Sequence, residues 1–343
     1  MRSFIALIQG LALATSAYAV DPAAVYSGGY NSSNEVLLRV GNGGAGQSGL
    51  IGGVYNKTRP NPRLACESTA TYQVAHTHFK RRPELTKINI VLADAFIRSS
   101  VRNGSDPFQV AWYKSDTTES INYLKSNTID LGITYTPAAE QIAITQGIAK
   151  SPAWYAWRDH FLLIGPSSNP AKLSKHTDIK TMFSQIYSAA EAGTAEPPVR
   201  FLSRYDKSAT NIKDSQLWIE IGQVPWATKY STWYHQYIAY PIQALTAAIL
   251  LEEYTITDRG TFLSIDAELQ NQTSIYKAAT DAPSDPLLNP AHMLVGRGAE
   301  NEKMADRFAR WVISAEGQKV IVGFKKNGQQ LYTAAPANKT APF

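Results

Sequence analysis

Residues 108–135 read FQVAWYKSDTTESINYLKSNTIDLGITY, and the periodicity of this stretch decides the fold class. Phe108 to Tyr113 alternates like a strand, and Thr117 to Lys125 places its apolar residues at helical spacing behind a cap at Ser115 or Asp116. Leu131 to Tyr135 is again apolar. A strand, a helix and a strand in so short a span imply a crossover, and with it a parallel pair in a helix-covered sheet. Upstream, Glu35 to Val40 (EVLLRV) reads as a strand, and Gly41 to Gly49 (GNGGAGQSG) as a glycine-rich turn leading through Leu50 into a helix. Residues 57–107, with Pro60, Pro62 and Pro83, are irregular, holding a candidate strand at Ile88 to Leu92.

Downstream the alternation continues. Pro137 stops the strand and Ala138 to Ile148 reads as a helix. Phe161 to Ile164 reads as a buried strand closed by Gly165 and Pro166, Thr177 to Ala192 as a helix ended by Gly193, and Val199 to Leu202 as a strand. The polar turn Ser203 to Thr210 (SRYDKSAT) offers Asp206 or Ser208 as the cap of a helix through Leu217 and Trp218. A further helix covers Ile242 to Glu252. Glu300 to Phe324 reads as two helices joined at Ser314-Ala315-Glu316-Gly317, burying Phe308, Trp311, Val312, Val320 and Ile321. The fold class is α/β, and 343 residues suit roughly two domains.

The first nineteen residues read as an export signal, with Arg2, an apolar run from Phe4 to Ala17 and the small-x-small site Ala17-Tyr18-Ala19. No run reaches the roughly 20 apolar residues of a membrane helix, so no membrane insertion is expected. The single cysteine, Cys66, leaves the fold without an internal disulfide, and no cysteine follows the signal to carry a lipid. Five Asn-x-Ser/Thr sequons, at Asn31, Asn56, Asn103, Asn271 and Asn338, point to a eukaryotic secretory route and to surface positions for those asparagines. The expected destination is secreted or extracellular, with retention in a cell wall as a variant of it, and the expected state is a monomer. A formal net charge of +5 suits anionic partners without calling for nucleic acid, and the densest basic run, Lys80-Arg81-Arg82, reads as a solvated loop.

Three polar loops each follow an apolar strand: Gly41 to Gly49, Ser115 to Thr118, and Ser203 to Thr210. Loops at the carboxyl ends of parallel strands share one sheet edge, where ligands bind. Two of them open helices, whose N–H groups and dipole favour an anion, and Arg204 adds a charge with fork-shaped donors. Plainer roles exist for each: a flexible turn, an N-cap, and an ion pair of Arg204 with Asp206 or Asp214. Enzyme motifs are weak. The glycine loop lacks the Lys-Ser/Thr of a nucleotide-binding loop, and Gly46-Gln47-Ser48-Gly49 lacks the spacing of a nucleophile elbow. His76 and His78 have no carboxylate or cysteine set beside them, and Trp154, Tyr155 and Trp157 read as core or interlobe packing. No metal and no cofactor are expected.

Four segments in order resemble the tungstate-binding, periplasmic-type receptors of bacterial ABC importers. They are Gln47-Ser48-Gly49-Leu50, Asp130 to Glu140 (DLGITYTPAAE), Phe201 to Trp218 (FLSRYDKSATNIKDSQLW) and Tyr254 to Leu263 (YTITDRGTFL), followed by C-terminal helices with Ser314 to Lys319. The resemblance spans residues 35–56 and 108–335. It implies a two-lobed periplasmic-binding-protein-like fold of type II, each lobe a mixed, mainly parallel sheet flanked by helices, with two hinge crossovers. One lobe comprises 20–136 and 286–343 and the other 137–285, closing on a ligand held between them. By position, Arg204 matches the arginine of the family's Ser-Arg-Gly-Asp motif, Ser208 and Thr210 its following Ser-Gly-Thr, and Thr117 a family threonine.

The chain departs from the family at Gly41-Asn42-Gly43-Gly44, which replaces threonines and a serine, at Tyr205 and Ala209, which replace glycines, and at Asp116. The resulting expectation is a non-catalytic receptor for a small oxyanion such as tungstate or molybdate, held by Asn42, Gly43, Gly44, Ser48, Ser115, Thr117, Arg204, Ser208 and Thr210. No bacterial-style importer partner is implied by a fungal-type secretory route. Two rivals stand beside it: an enzyme for phosphate or sulfate esters using His160, Asp206 or Asp258, and an interaction protein binding polyanions or wall material.

Overall fold

β5 (Trp154–Pro166) organises the molecule, because both hydrophobic cores are built on it. The computed structural model describes residues 20–31, 33–44, 48–51, 92–228 and 230–342. The export signal, Cys66, His76, His78, Lys80 to Arg82, Asn56 and most of the candidate strand 88–92 lie outside the described residues. Leu92 itself opens a helix, Leu92–Arg102.

The sheet runs β1 (Ala24–Tyr26), β3 (Gln109–Lys114), β2 (Val36–Asn42), β4 (Leu131–Thr134), β10 (Leu288–Val295), β5, β13 (Thr333–Ala334). β3, β2 and β4 are parallel, and the helix Thr117–Lys125 that the periodicity predicts links β3 to β4. The far half of β5 pairs with β8 (Thr255–Asp258) and β9 (Thr273–Ala278), while β6 (Phe201–Ser203) pairs parallel with β7 (Tyr234–Gln236) and touches Tyr254. A small ribbon of β11 (Lys325–Lys326) and β12 (Gln329–Gln330) completes the strands.

The architecture is mixed α/β, as expected, but among the described residues parallel pairing is confined to β3-β2-β4, β6-β7 and the bridge from Phe201 to Tyr254. β5 pairs antiparallel with every neighbour. The reason is geometric. The chain leaves the first core on β5 and returns on β10 beside it, so these two strands must run in opposite directions.

Side chains of β5 alternate between the cores. Leu162 and Ile164 pack with Leu245, Ile249 and Phe262 in the first core, and Phe161 and Leu163 with Phe183, Trp218 and Ile256 in the second. Trp157 and Trp218, each fully buried, anchor the two. An aromatic of this size buries about 150–250 Å², a gross gain of roughly 4–6 kcal/mol.

The passage between cores falls later than residue 137. The helix Pro137–Thr145 begins with proline at its first position, where a missing N–H is harmless, and it continues on the first-core side. Ile144, Ile148, Ala149 and Ala153 pack with Leu124, Ile129 and Leu294. The change comes at His160 and Phe161, which pair with Leu288 and Asp258 respectively. The return lies between Leu287 of the second core and Ala291 of the first.

Helix ends follow the sequence signals. Asp116, Asp178, Ser208 and Ser314 each accept a hydrogen bond from the N–H three residues on. Gly193, at φ 61°, ends the helix Ile179–Ala192 in the left-handed conformation that glycine adopts without penalty. The C-terminal helices, Glu302–Val312 and Ala315–Gly323, meet at Ser314. They bury Phe308, Val312 and Ile321 and half-bury Trp311 and Val320. The sequons at Asn31, Asn103, Asn271 and Asn338 are exposed.

Candidate functional site

The ends of β2 and β3, the turn after β6 and the crossover of β5 and β10 enclose a cavity of about 130 Å³. A cavity of ~150 Å³ in another protein holds a benzene, so this space suits a ligand of roughly five or six heavy atoms. Two helix N-termini open onto it, those of Thr117–Lys125 and Ala209–Glu220, with capping residues Asp116 and Ser208 in its wall. First-turn N–H groups have no intrahelical acceptor, and with the dipole they favour negative charge.

Arg204 lines the same cavity, 8% exposed. Its Nη2 donates to Asp206 Oδ2 at 2.5 Å, Nη1 to Thr210 Oγ1 at 3.4 Å and Nε to the Ala239 carbonyl at 3.3 Å. Of the two ion pairs open to it from sequence, the one with Asp206 forms. Asp206 also accepts the Ser208 N–H through Oδ1 at 2.9 Å, so the carboxylate orders both the arginine and the helix start. Behind this turn Asp214, 1% exposed, accepts from Ser203 Oγ at 2.9 Å, and burial pushes its carboxyl up to about 8. Tyr205 takes φ 45°, a left-handed conformation that costs a residue with a Cβ.

Opposite, Gly43 packs so closely on the next loop that an added Cβ would stand 2.5 Å from the Ser115 carbonyl oxygen. This close approach brings the main chain of Gly43 and Gly44 into the cavity wall. Ser115 Oγ is engaged with Ser120 Oγ at 2.7 Å, and Thr117, 4% exposed, also lines the cavity. The two sides touch: Thr118 Oγ1 donates to the Lys207 carbonyl at 3.4 Å, and Lys114 Nζ sits 3.3 Å above the Tyr240 ring.

Seven of the nine expected ligand residues therefore converge: Gly43, Gly44, Ser115, Thr117, Arg204, Ser208 and Thr210. Two do not line this cavity. Asn42 is fully buried, its amide donating to the Ile133 carbonyl at 2.9 Å while its own carbonyl accepts from Trp112 Nε1 at 3.0 Å, so it ties three strands together. Ser48 faces Tyr332, hydroxyl to hydroxyl at 2.9 Å, in a separate crevice of about 10 Å³.

Among the enzyme candidates, His160 Nε2 pairs with Asp281 at 2.8 Å and is not in the cavity wall. Asp206 is committed to Arg204, and Asp258 caps a short helix by accepting both the N–H and the hydroxyl of Thr261. Sequence reasoning missed Lys114, Tyr240, Asp159 and Asn289, all in the wall. Asp159 and Asn289 come from the two crossover strands, and only knowledge that those strands are adjacent would have found them.

A profile of the PBP superfamily domain matches residues 86–316. The tungstate-binding protein TupA of Peptoclostridium acidaminophilum is 27% identical over 229 residues, covering 63% of this chain and 72% of that protein. A crystal structure of a periplasmic protein provisionally described as metal binding is 57% identical and superimposes with a TM-score of 0.76, covering 91% of this chain and 99% of its own. The tungstate binding protein TupA of Desulfovibrio alaskensis G20 superimposes with a TM-score of 0.62 at 19% identity, over 88% of this chain and all of its own, which is a likeness of fold.

Proposed function

The chain belongs to the PBP superfamily, and on that premise we propose that it is a non-catalytic solute-binding protein taking a small tetrahedral oxyanion, of the tungstate or molybdate kind, in this cavity. The observation that carries the reading is the convergence of Arg204 and two helix N-termini on a space of about 130 Å³. Gly43, Gly44, Thr117, Ser208 and Thr210 surround it with main-chain and hydroxyl donors, a set that suits an oxyanion. The name of the Peptoclostridium acidaminophilum relative supports the same ligand class.

On this reading the chain crosses between lobes in β5 and β10, which form the hinge, and Thr118 and Lys207 meet when the cleft closes. A monomer exported from the cell suffices for capture. The four exposed sequons support a fungal-type secretory route, for which no importer partner is required.

A cation is the second reading, favoured by the carboxylates in the wall and by the description of the 57% identical relative. Among the described residues, however, no three His, Cys, Asp or Glu side chains are grouped to hold a metal ion. The test is the thermal midpoint of the dialysed protein with tungstate, molybdate, sulfate, phosphate and, separately, a divalent cation. A ligand at 100 times its Kd adds about 2.7 kcal/mol, a rise of roughly 4 °C for a chain of this size. A rise with an oxyanion that disappears in Arg204→Ala supports the proposal. A response to the cation alone overturns it.

A further inference from the structure

The cavity wall presents two cationic side chains, Lys114 and Arg204, against five carboxyl groups, those of Asp116, Glu119, Asp159, Asp206 and Asp258. Most of the five have settled tasks. Asp206 binds Arg204, Asp116 caps one helix, and Asp258 holds Thr261. Asp159 differs. It is 4% exposed, accepting the His160 N–H at 2.8 Å through one oxygen and Asn289 Nδ2 at 3.0 Å through the other. Neither partner brings a charge.

The charged and titratable groups around Asp159 include Asp258 and Arg259 from the end of β8, Tyr332 beside β13, His160 next to it in β5 and Tyr135 after β4. Across the cavity lie Lys114, Asp116, Glu119, Arg204 and Asp206. Asp258 opposes an ionised Asp159, Arg259 favours it weakly, and burial outweighs both, so its carboxyl is held well above the usual carboxylate range. An ionised carboxylate facing a bare dianion in this space would repel it strongly, since like charges 4 Å apart lose about 4 kcal/mol at an effective dielectric constant of 20.

We propose that Asp159 is a specificity-determining hydrogen-bond donor of the site, its carboxyl carrying a proton and donating O–H to an oxygen of the bound oxyanion. The inference rests on the oxyanion reading and adds to it that one proton must be present in the Asp159–ligand pair. The proton stands either on Asp159, for a fully deprotonated oxyanion such as tungstate, or on the ligand, for hydrogen phosphate. In the second case an ionised Asp159 accepts the ligand's O–H, and the wall tolerates a higher pH.

The experiment is calorimetric titration of tungstate and of phosphate into wild type and Asp159→Asn from pH 6 to 9.5. An asparagine amide keeps an acceptor for the His160 N–H, turns Asn289 end for end, and donates to the ligand without titrating. Expected for wild type is a tungstate affinity that falls tenfold per pH unit at the alkaline end, and for Asp159→Asn a flat profile with binding retained. Phosphate should fall less steeply in wild type and bind the variant poorly if its own proton is the one shared. Asp258→Asn, which removes a neighbouring negative charge, should keep the wild-type shape and move its fall to lower pH.

A flat tungstate profile in wild type, or the same fall in Asp159→Asn, overturns the inference while leaving the receptor reading intact. If no oxyanion binds wild type at any pH, the receptor reading fails and this inference with it.

Discussion

Asp214 offers a sharp test of how the turn around Arg204 is held. Its carboxyl is buried behind Ser203 and Asn211, and burial raises it to about 8 from 3.8. In the unfolded chain it ionises near pH 4. Between these values the folded protein keeps a proton that the unfolded chain has lost, so rising pH favours unfolding. The stability this group contributes is complete below about pH 4 and is lost as pH climbs to about 8, at about 1.4 kcal/mol per unit. The whole window amounts to on the order of 5 kcal/mol, a large share of the ~5–15 kcal/mol that holds a folded protein together.

Asp214→Asn keeps an acceptor for the Ser203 hydroxyl and a donor where the proton stood, but cannot ionise. Urea unfolding of both proteins from pH 5 to pH 8 isolates the effect, because every other titrating group is common to the two. The variant should lie within about 1 kcal/mol of wild type at pH 5 and gain on it steadily, by roughly 2–4 kcal/mol at pH 8. A constant difference across the range would refute the assignment of a neutral carboxyl behind the turn.

Three further outcomes are expected. Gly43→Ala sets a methyl 2.5 Å from the Ser115 main chain, so the two loops must separate; unfolding should register a loss of about 1–3 kcal/mol and thermal shifts a lost oxyanion response. Asp116→Asn retains a capping side chain for the Glu119 N–H and removes a negative charge from the cavity wall, so oxyanion affinity measured by calorimetry should rise about three- to fivefold at low salt, and less at high salt. Tyr205→Gly exchanges a strained residue for the one at home there and should unfold within about 1 kcal/mol of wild type, whereas Tyr205→Val, β-branched at φ 45°, should lose about 1–2 kcal/mol.

Much of the fold was legible where periodicity and caps agreed. The helix Thr117–Lys125, the glycine stop at Gly193 and the joint at Ser314 fall where the residues place them. β5 was read only as Phe161 to Ile164, because Trp154, Tyr155 and Trp157 carry no alternation; that half of the strand is covered on both faces. β10 was not read at all. Pro290 interrupts it next to the irregularity at Ala291 and His292, and proline argues against a central strand. The site divides along the same line. Residues on helix starts and loops were found from local chemistry, whereas Asp159 and Asn289 acquire their meaning only when two strands far apart in sequence lie side by side.

The adjacency of β4, β10 and β5 also sets a timetable for folding. β4 and β5 leave the ribosome early, yet the strand that fills the gap between them is made only after the whole second core, and β13 follows later still. At about 5–20 residues per second the delay is on the order of ten seconds. During that interval two apolar strand edges stand open and the first core cannot close. A nascent chain of this design stays unfolded long enough for a holdase to engage it, and circular permutants that bring residues 288–295 next to β4 should fold faster by lowering the separation of paired strands.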